Sequence, residues 1–388
     1  MGRSMYIAIT IIFIIIIFLI FFKRGSKDNN VDFYQSKAQI GEVYYQIKLA
    51  KKYMNSDGSV EENYKEAQIW LEKAILQRSG EASMLLGQIH SRSENPDYVR
   101  AFELFDQAIK YQVPQQNVIA FLTWLVNDSL LKEPSNTKFD QFLQALEIQS
   151  KNNKCFAQFF LAEMYINGMG LPINMKKAVY FYEQAASQGD LVAHYNLYYI
   201  YYDLDTEMHN IEKAFTHLVM AAKGSLQPAY NLLSSYTEKS DIMVYNTGID
   251  TELKTLFKVL LNFSENDDKS MLKVFVGVMY ANGSGTEKDP TKAFSLYKKA
   301  ALQGNLEAKY MVGSCYEYGF GVKKDIEKAL EWYKKASGYM LADQKVYFIK
   351  NSSVHDKFHR TLILSGFCFL KIAKISLNSS FFPKPIKC

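Results

Sequence analysis

The chain has 388 residues, of which 48% are hydrophobic and 22% are charged, so it is long enough to bury a sizeable core. Its net charge of +5 comes from its ends: the first 30 residues carry +3 and the segment from Gln344 carries +7, which leaves −5 for residues 31–343. A slightly acidic body argues against nucleic-acid binding along its surface, so no nucleic-acid partner is expected.

The chain begins with a candidate membrane span. After a short flank, residues 1–4, residues 5–22 contain no charged side chain, and such a run can cross a bilayer. A cleaved signal peptide is the alternative, but the run ends in Phe21-Phe22 and basic residues, which favours an uncleaved anchor. A basic and polar linker, residues 23–35, follows. Its slight excess of basic residues favours a single-pass membrane protein with the rest of the chain in the cytoplasm.

A unit of 36 residues repeats between residues 36 and 343, and its best copies span 157–189, 193–224, 272–304 and 308–338. In the first of these, Ala157, Leu161 and Tyr165 follow the spacing of one helix face, and a Gly-Met-Gly turn ends the helix. A second helix is predicted from Met175 to Gln188. A fixed period of this size is typical of a solenoid in which each helix pair packs against its neighbours.

Three segments resemble Sel-one-like repeats: AEMYINGMGLPINMKKAVYFYEQAASQGD, GVMYANGSGTEKDPTKAFSLYKKAALQGN and GSCYEYGFGVKKDIEKALEWYKKASGY. They share, in fixed order, a small residue, Tyr, Gly-x-Gly, Lys-Ala, an aromatic pair and Ala-Ala or Ala-Ser. That family is similar to the tetratricopeptide repeats, and the resemblance implies an adaptor that holds partners on its concave side. We therefore predict an all-α fold, a right-handed superhelical solenoid of antiparallel helix pairs, preceded by one transmembrane helix.

Several parts of the chain depart from the repeat. Residues 113–152 keep only the apolar periodicity, the copy at Ala193 has no Gly-x-Gly, and residues 237–250 read as an irregular insertion. The basic segment 344–388 breaks the pattern altogether. Its apolar stretch, 361–377, is expected to cap the last repeat, and the alternative is a helix that lies on an anionic lipid surface.

No grouping of residues in the sequence suggests catalysis, so we expect neither an enzyme nor a cofactor or metal site. The Gly-x-Gly turns follow helices and recur with the repeat, which indicates helix ends instead of phosphate-binding loops. Cys315 falls at a packing position of its copy. His355 and His359 share a helix face but lack a third metal ligand.

Tyrosine is concentrated in the copy that begins at Ala193. Tyr201 matches a packing position, whereas Tyr195, Tyr199 and Tyr202 fall at helical spacing on another face, where the other copies vary. Because Tyr combines a large apolar ring with a polar tip, these three are the predicted partner-binding residues. The alternative is that they pack internally in a chain rich in Tyr.

These patterns together predict a membrane-anchored scaffold that binds a protein or peptide partner. Two alternatives remain open from the sequence. One is a repeat protein that is exported after signal cleavage and acts as an envelope or host-interaction regulator. The other is a hydrolase whose polar groups converge in the groove of the solenoid.

Overall fold

A computed structural model describes residues 31–54, 60–130, 137–237, 247–267 and 269–351. The chain divides into two compact units, residues 1–188 and 189–388. The first unit contains, among its described residues, α1 (Val31–Gln39), α2 (Val43–Met54), α3 (Val60–Leu76), α4 (Gly80–Arg92), α5 (Tyr98–Lys110), α6 (Gln115–Trp124), α7 (Thr137–Lys151), α8 (Cys155–Asn167) and α9 (Met175–Ser187). The second contains α10 (Leu191–Tyr202), α11 (Ile211–Lys223), α12 (Gln227–Thr237), α13 (Thr247–Asn266), α14 (Ser270–Asn282), α15 (Pro290–Leu302), α16 (Leu306–Tyr318), α17 (Ile326–Lys335) and α18 (Met340–Asn351).

The described residues confirm the predicted all-α architecture of repeating helix pairs. Consecutive helices pack against each other within each unit, as α8 does with α9 and α15 with α16. The second helix of a pair starts at a polar residue whose side chain accepts the backbone N–H three positions ahead. The capping residues of these helices are Asn174, Asn210, Asp289 and Asp325. Such caps satisfy backbone donors that the first helical turn leaves without partners.

The Gly-x-Gly turns end helices, as predicted. Gly319 has a φ of 75°, and its N–H donates to the carbonyl oxygen of Cys315 at 2.9 Å, which closes the end of α16. Gly321 serves packing between repeats, because a Cβ at this position would lie 2.0 Å from the carbonyl oxygen of Pro290 at the start of α15. One glycine therefore stops the helix, and the other allows the previous pair to approach.

The segments that depart from the repeat also form helices. Residues 113–152, where only apolar periodicity was evident, contain α6 and α7. At the ends of the expected irregular insertion, 237–250, Thr237 is the last residue of α12 and residues 247–250 belong to α13, while residues 238–246 lie outside the described part of the chain. Buried Leu253, Leu256 and Leu260 recur along α13 at helical spacing and account for its packing.

Aromatic side chains dominate the core of the first unit, where Phe142 contacts the rings of Tyr98, Phe102 and Phe160 at centroid distances of 5.4–6.3 Å. In the second unit the last described helix, α18, begins at Met340, ahead of the predicted boundary at Gln344. Lys345 of α18 binds the carboxylate of Glu317 in α16 at 2.8 Å and so holds the helix against the final pair.

In the part of the chain that the structure describes, no helix is long and apolar enough to cross a membrane. The predicted span at 5–22 and the apolar stretch at 361–377 both lie outside the described residues.

Candidate partner-binding site

A backbone hydrogen bond closes each helix pair that contains a capping residue of this kind. The N–H of the capping residue donates to the carbonyl oxygen of a tyrosine near the end of the first helix. The distances are 2.9 Å for Asn174 to Tyr165, 2.8 Å for Asn210 to Tyr201, 2.8 Å for Asp289 to Tyr280 and 2.9 Å for Asp325 to Tyr316. The bond forms in the α10–α11 pair as well, so the loss of Gly-x-Gly leaves the geometry of this pair intact.

The helix that carries most of the tyrosines, α10, is fixed at its start and along one side. The Asp190 carboxylate accepts the N–H of Ala193 at 2.8 Å and caps the helix. Ala193, Leu197 and Tyr201 are buried, in agreement with their predicted packing positions. The remaining tyrosines are thereby held in a defined orientation.

In the α10–α11 pair, unlike the other best copies, the larger of two facing side chains comes from the first helix. That side chain is Tyr198. In the other best copies this position holds a small residue, Ala162, Gly277 or Gly313, opposite an aromatic residue of the second helix. A Cβ at Gly277 would come within 2.6 Å of the Tyr297 ring. The α10–α11 pair has Tyr198 at the position of the small residue and Leu218 at the aromatic position, and both are buried. The large ring therefore comes from the first helix, next to the surface tyrosines.

Two of the three predicted residues, Tyr195 and Tyr199, lie together. Their hydroxyl groups are hydrogen-bonded at 2.9 Å, and their rings meet edge to face at 5.1 Å. The Tyr199 side chain is 51% exposed, and that of Tyr195 is partly buried. Tyr198 supports both rings from below, at centroid distances of 6.4 Å and 5.0 Å. We call Tyr195 and Tyr199 the tyrosine face.

The third predicted residue, Tyr202, turns toward the interior of the second unit. Its hydroxyl donates to the Glu252 carboxylate at 3.0 Å, and its ring contacts Phe215 and Tyr236. Tyr202 follows buried Tyr198 by four residues, and the centres of the two rings are 5.3 Å apart, so it lies on the side of α10 that faces α11 and α13. Tyr202 therefore contributes to packing, a role that the sequence pattern did not separate from binding.

Four tyrosines in and around this site are partly or fully buried, which affects the pKa of their phenol groups. Burial raises the pKa of Tyr195, Tyr198, Tyr202 and Tyr236 well above the usual value for tyrosine. The hydroxyls of Tyr198 and Tyr236 are hydrogen-bonded to each other at 3.0 Å inside the cluster. These four side chains therefore present neutral hydroxyl groups near neutral pH.

Two histidines that the sequence analysis did not identify as a pair link α10 to α11. The Nδ1 atoms of His194 and His217 are 2.8 Å apart, and the His217 ring stacks on Tyr201 at 5.7 Å. Burial lowers the pKa of His217 to about 4, with smaller contributions from His194 and Lys213. The two residues are 23 positions apart on different helices, so only the pairing of α10 with α11 could have revealed their contact.

The loop that follows α10 is acidic and exposed. Residues 203–210, here called the acidic loop, contain Asp203, Asp205 and Glu207 and no Lys or Arg. All three acidic side chains are exposed, and Leu204 between them is 76% exposed. The Asp203 carboxylate accepts the N–H of Asp205 at 3.0 Å, which orders the start of the loop.

Among the described residues, no group of three or more His, Cys, Asp or Glu side chains is placed to hold a metal ion. Cys315 is buried, as predicted for a packing position, and burial raises the pKa of its thiol to about 12. His355 and His359 lie outside the described residues.

Six segments of the chain match the Sel1 repeat family: 43–79, 80–110, 155–190, 191–226, 271–305 and 306–337. No curated protein matches the chain. Among solved structures, it is similar to a protective antigen of uropathogenic Escherichia coli with an SLR fold, at 17% identity over 87% of this chain and 93% of that chain, with a TM-score of 0.25.

It is also similar to a Sel1 repeat protein from Oxalobacter formigenes, at 19% identity over 84% of this chain and 92% of that chain, with a TM-score of 0.30. The TPR domain of P58(IPK) is similar at 13% identity over 87% of this chain and 94% of that chain, with a TM-score of 0.25. The six matched segments cover more than half of the chain, which therefore belongs to the Sel1 repeat family.

Proposed function

We propose that this protein is a membrane-anchored scaffold that binds a protein or peptide partner on the concave face of its repeat solenoid, and that the tyrosine face is part of that surface. Sel1 repeats are typical of non-catalytic protein-interaction scaffolds. The proposal depends mainly on the exposed side chain of Tyr199. Its hydroxyl is hydrogen-bonded to that of Tyr195, and its ring packs on buried Tyr198. A rigid, half-exposed aromatic side chain with a polar tip is the kind of residue that anchors protein interfaces.

Residues 5–22 anchor the scaffold in the membrane. Their length and lack of charge support this, together with the basic residues Lys23, Arg24 and Lys27 that follow. Residues 361–377 cover the end of the last repeat, or contact the lipid surface through their basic flanks. The slight excess of basic residues after residue 22 supports a solenoid on the cytoplasmic side.

Site-specific photocrosslinking tests the binding role of the tyrosine face. A benzophenone amino acid in place of Tyr199 is expected to give light-dependent adducts of defined mass in cells, because this ring would contact the partner. The matched control places the same group at Tyr180 of α9, which is 56% exposed on the other unit. Adducts of equal yield at both positions, or none at Tyr199, would contradict the proposed site.

The substitution Tyr199→Ala is the companion experiment. Recovery of the crosslinked partner in a pull-down should fall about tenfold, because an aromatic anchor contributes on the order of 1–2 kcal/mol to binding. Tyr180→Ala is expected to leave recovery unchanged. Far-UV circular dichroism should show the same helix content in both variants, since both rings are half exposed.

A further inference from the structure

We infer that the segment bound at the tyrosine face is a basic peptide, rich in Lys or Arg and interspersed with apolar side chains. This inference rests on the proposed function and specifies the chemistry of the partner. It is argued from two neighbouring features of the second unit. These are the tyrosine face and the acidic loop, which contains the exposed Leu204.

The tyrosine face and the acidic loop form a continuous surface. Tyr195, Tyr199 and Asp203 are spaced four residues apart, which aligns them along one side of α10. The N–H of Asp203 still donates to the carbonyl oxygen of Tyr199 at 3.1 Å, so Asp203 continues the helical path. A ligand that lies along the rings therefore meets the loop directly.

The acidic loop gives this surface its negative charge. It contains three acidic side chains and no Lys or Arg, while the dipoles of α10, which ends at the loop, and α11, which begins there, oppose each other. The nearest cation in the sequence is Lys213, whose ammonium lies 4.9 Å from the centre of the Tyr201 ring. The corresponding loop of the last repeat instead carries Lys323 and Lys324, so the acidic character belongs to this pair and not to the repeat.

Exposed tyrosine rings also favour cations. The face of an aromatic ring attracts Lys and Arg, and the attraction adds to that of nearby carboxylates. The repeats already use this contact internally, since Lys177 lies over Tyr165 and Lys292 over Tyr280 at 4.9 Å and 5.2 Å from the ring centres. Leu204 provides an apolar contact beside the charges. Together these groups match a peptide in which Arg or Lys alternates with Leu-like side chains.

Fluorescence anisotropy with the full chain in detergent tests the inference. The probe is a labelled peptide of three Arg-Leu-Arg-Gly units, compared with versions in which Glu or the uncharged isostere citrulline replaces Arg. We expect binding of the Arg peptide, at least about tenfold weaker binding of the citrulline peptide, and a loss of affinity as salt rises from 50 to 300 mM. Equal affinity for the Arg and citrulline peptides would overturn the inference.

A pair of charge-matched variants locates the effect. Asp205→Asn with Glu207→Gln should weaken binding of the Arg peptide about fivefold, because two carboxylates beside the ligand are lost. Glu327→Gln with Glu331→Gln removes the same charge from exposed positions of α17 and should change affinity by less than about twofold. Equal effects of the two double variants would show a general attraction between a basic peptide and the chain, and would overturn the site.

The crosslink at Tyr199 separates this inference from the proposed function. Peptide mapping of the adduct identifies the partner segment that touches the ring, and we expect it to contain several Lys or Arg residues. A crosslinked segment without basic residues overturns the inference and leaves the scaffold function standing. Absence of any crosslink at Tyr199 overturns the proposed site itself.

Discussion

At the scale of single residues, the candidate site depends on where one large side chain is placed. With Tyr198 at a position that Ala162, Gly277 or Gly313 occupies in the other best copies, a buried ring lies directly under Tyr195 and Tyr199. An exposed tyrosine without such support would sample several rotamers and lose more entropy on binding. The large side chain at this position of α10 therefore gives the surface rings a rigid base.

The histidine pair makes a residue-scale prediction about pH. His217 has a native pKa of about 4 against a usual 6.5, so the unfolded chain takes up a proton first as the pH falls. The stability that neutral His217 provides is complete above pH 6.5 and is lost as the pH falls toward 4. We expect about 2 kcal/mol of stability to disappear over this window.

Urea denaturation at pH 7, 5.5 and 4.5 checks this prediction. The variant His217→Phe keeps a ring against Tyr201 and should show a much smaller fall in its urea midpoint between pH 7 and 4.5. The control variant His209→Ala changes an exposed histidine of the acidic loop and should retain the slope of the wild type. Identical slopes for all three proteins would contradict the role of His217.

At the scale of helices and helix pairs, the arrangement of Tyr198 and Leu218 predicts that a second substitution can restore the stability that a first one removes. Gly277→Tyr alone should prevent stable packing of α14 on α15, because even a Cβ would lie 2.6 Å from the Tyr297 ring. Adding Tyr297→Leu recreates the arrangement of Tyr198 and Leu218 and should recover most of the lost stability.

Thermal unfolding of the wild type, both single variants and the double variant measures this coupling. The expected interaction free energy is on the order of 2 kcal/mol, within the range for residues in direct contact. Additive effects of the two substitutions would mean that the positions do not share one space. Tyr297→Leu alone serves as the control for loss of the buried ring.

The sequence predicted the helix pairs well because each one is encoded locally. Ala157, Leu161 and Tyr165 lie on one face of a single helix, and Gly168 ends it, so neighbouring positions suffice. The segments at 113–152 and 237–250 were harder, because their helices keep apolar periodicity without the Ala, Gly and Tyr code.

The site was less accessible from the sequence, since it depends on contacts between helices. Helical spacing grouped Tyr202 with Tyr195 and Tyr199, yet Glu252 and Phe215, from two other helices, draw it into the packing. The contact of His194 with His217 likewise requires the register of two helices. The spacing of residues along one helix indicates which face of that helix they occupy. It does not indicate which residues of other helices pack against that face.

At the scale of the whole molecule, the proposed anchor at residues 5–22 makes a prediction about fractionation. The full chain should sediment with membranes and resist extraction by alkaline carbonate, because an apolar span is held by lipid and not by surface charge. A variant that lacks residues 2–22 should appear in the soluble fraction. Sequencing of the mature N-terminus distinguishes the alternative: a chain that starts after residue 22 would be an exported protein without an anchor.

The backbone hydrogen bond that four of the described helix pairs share bears on how the sequence of such a chain can diversify. The N–H of Asn210 donates to the carbonyl oxygen of Tyr201 at 2.8 Å, although the loop between them lacks the glycines that the corresponding loops contain. Because this hydrogen bond uses main-chain atoms only, the loop between the two bonded residues can change in sequence while the bond is kept. A pair whose loop packs against a neighbouring helix through a glycine, as Gly321 does, must retain that glycine. In a pair such as α10–α11, whose loop contains no glycine, substitution within the loop is therefore a direct route to new binding preferences.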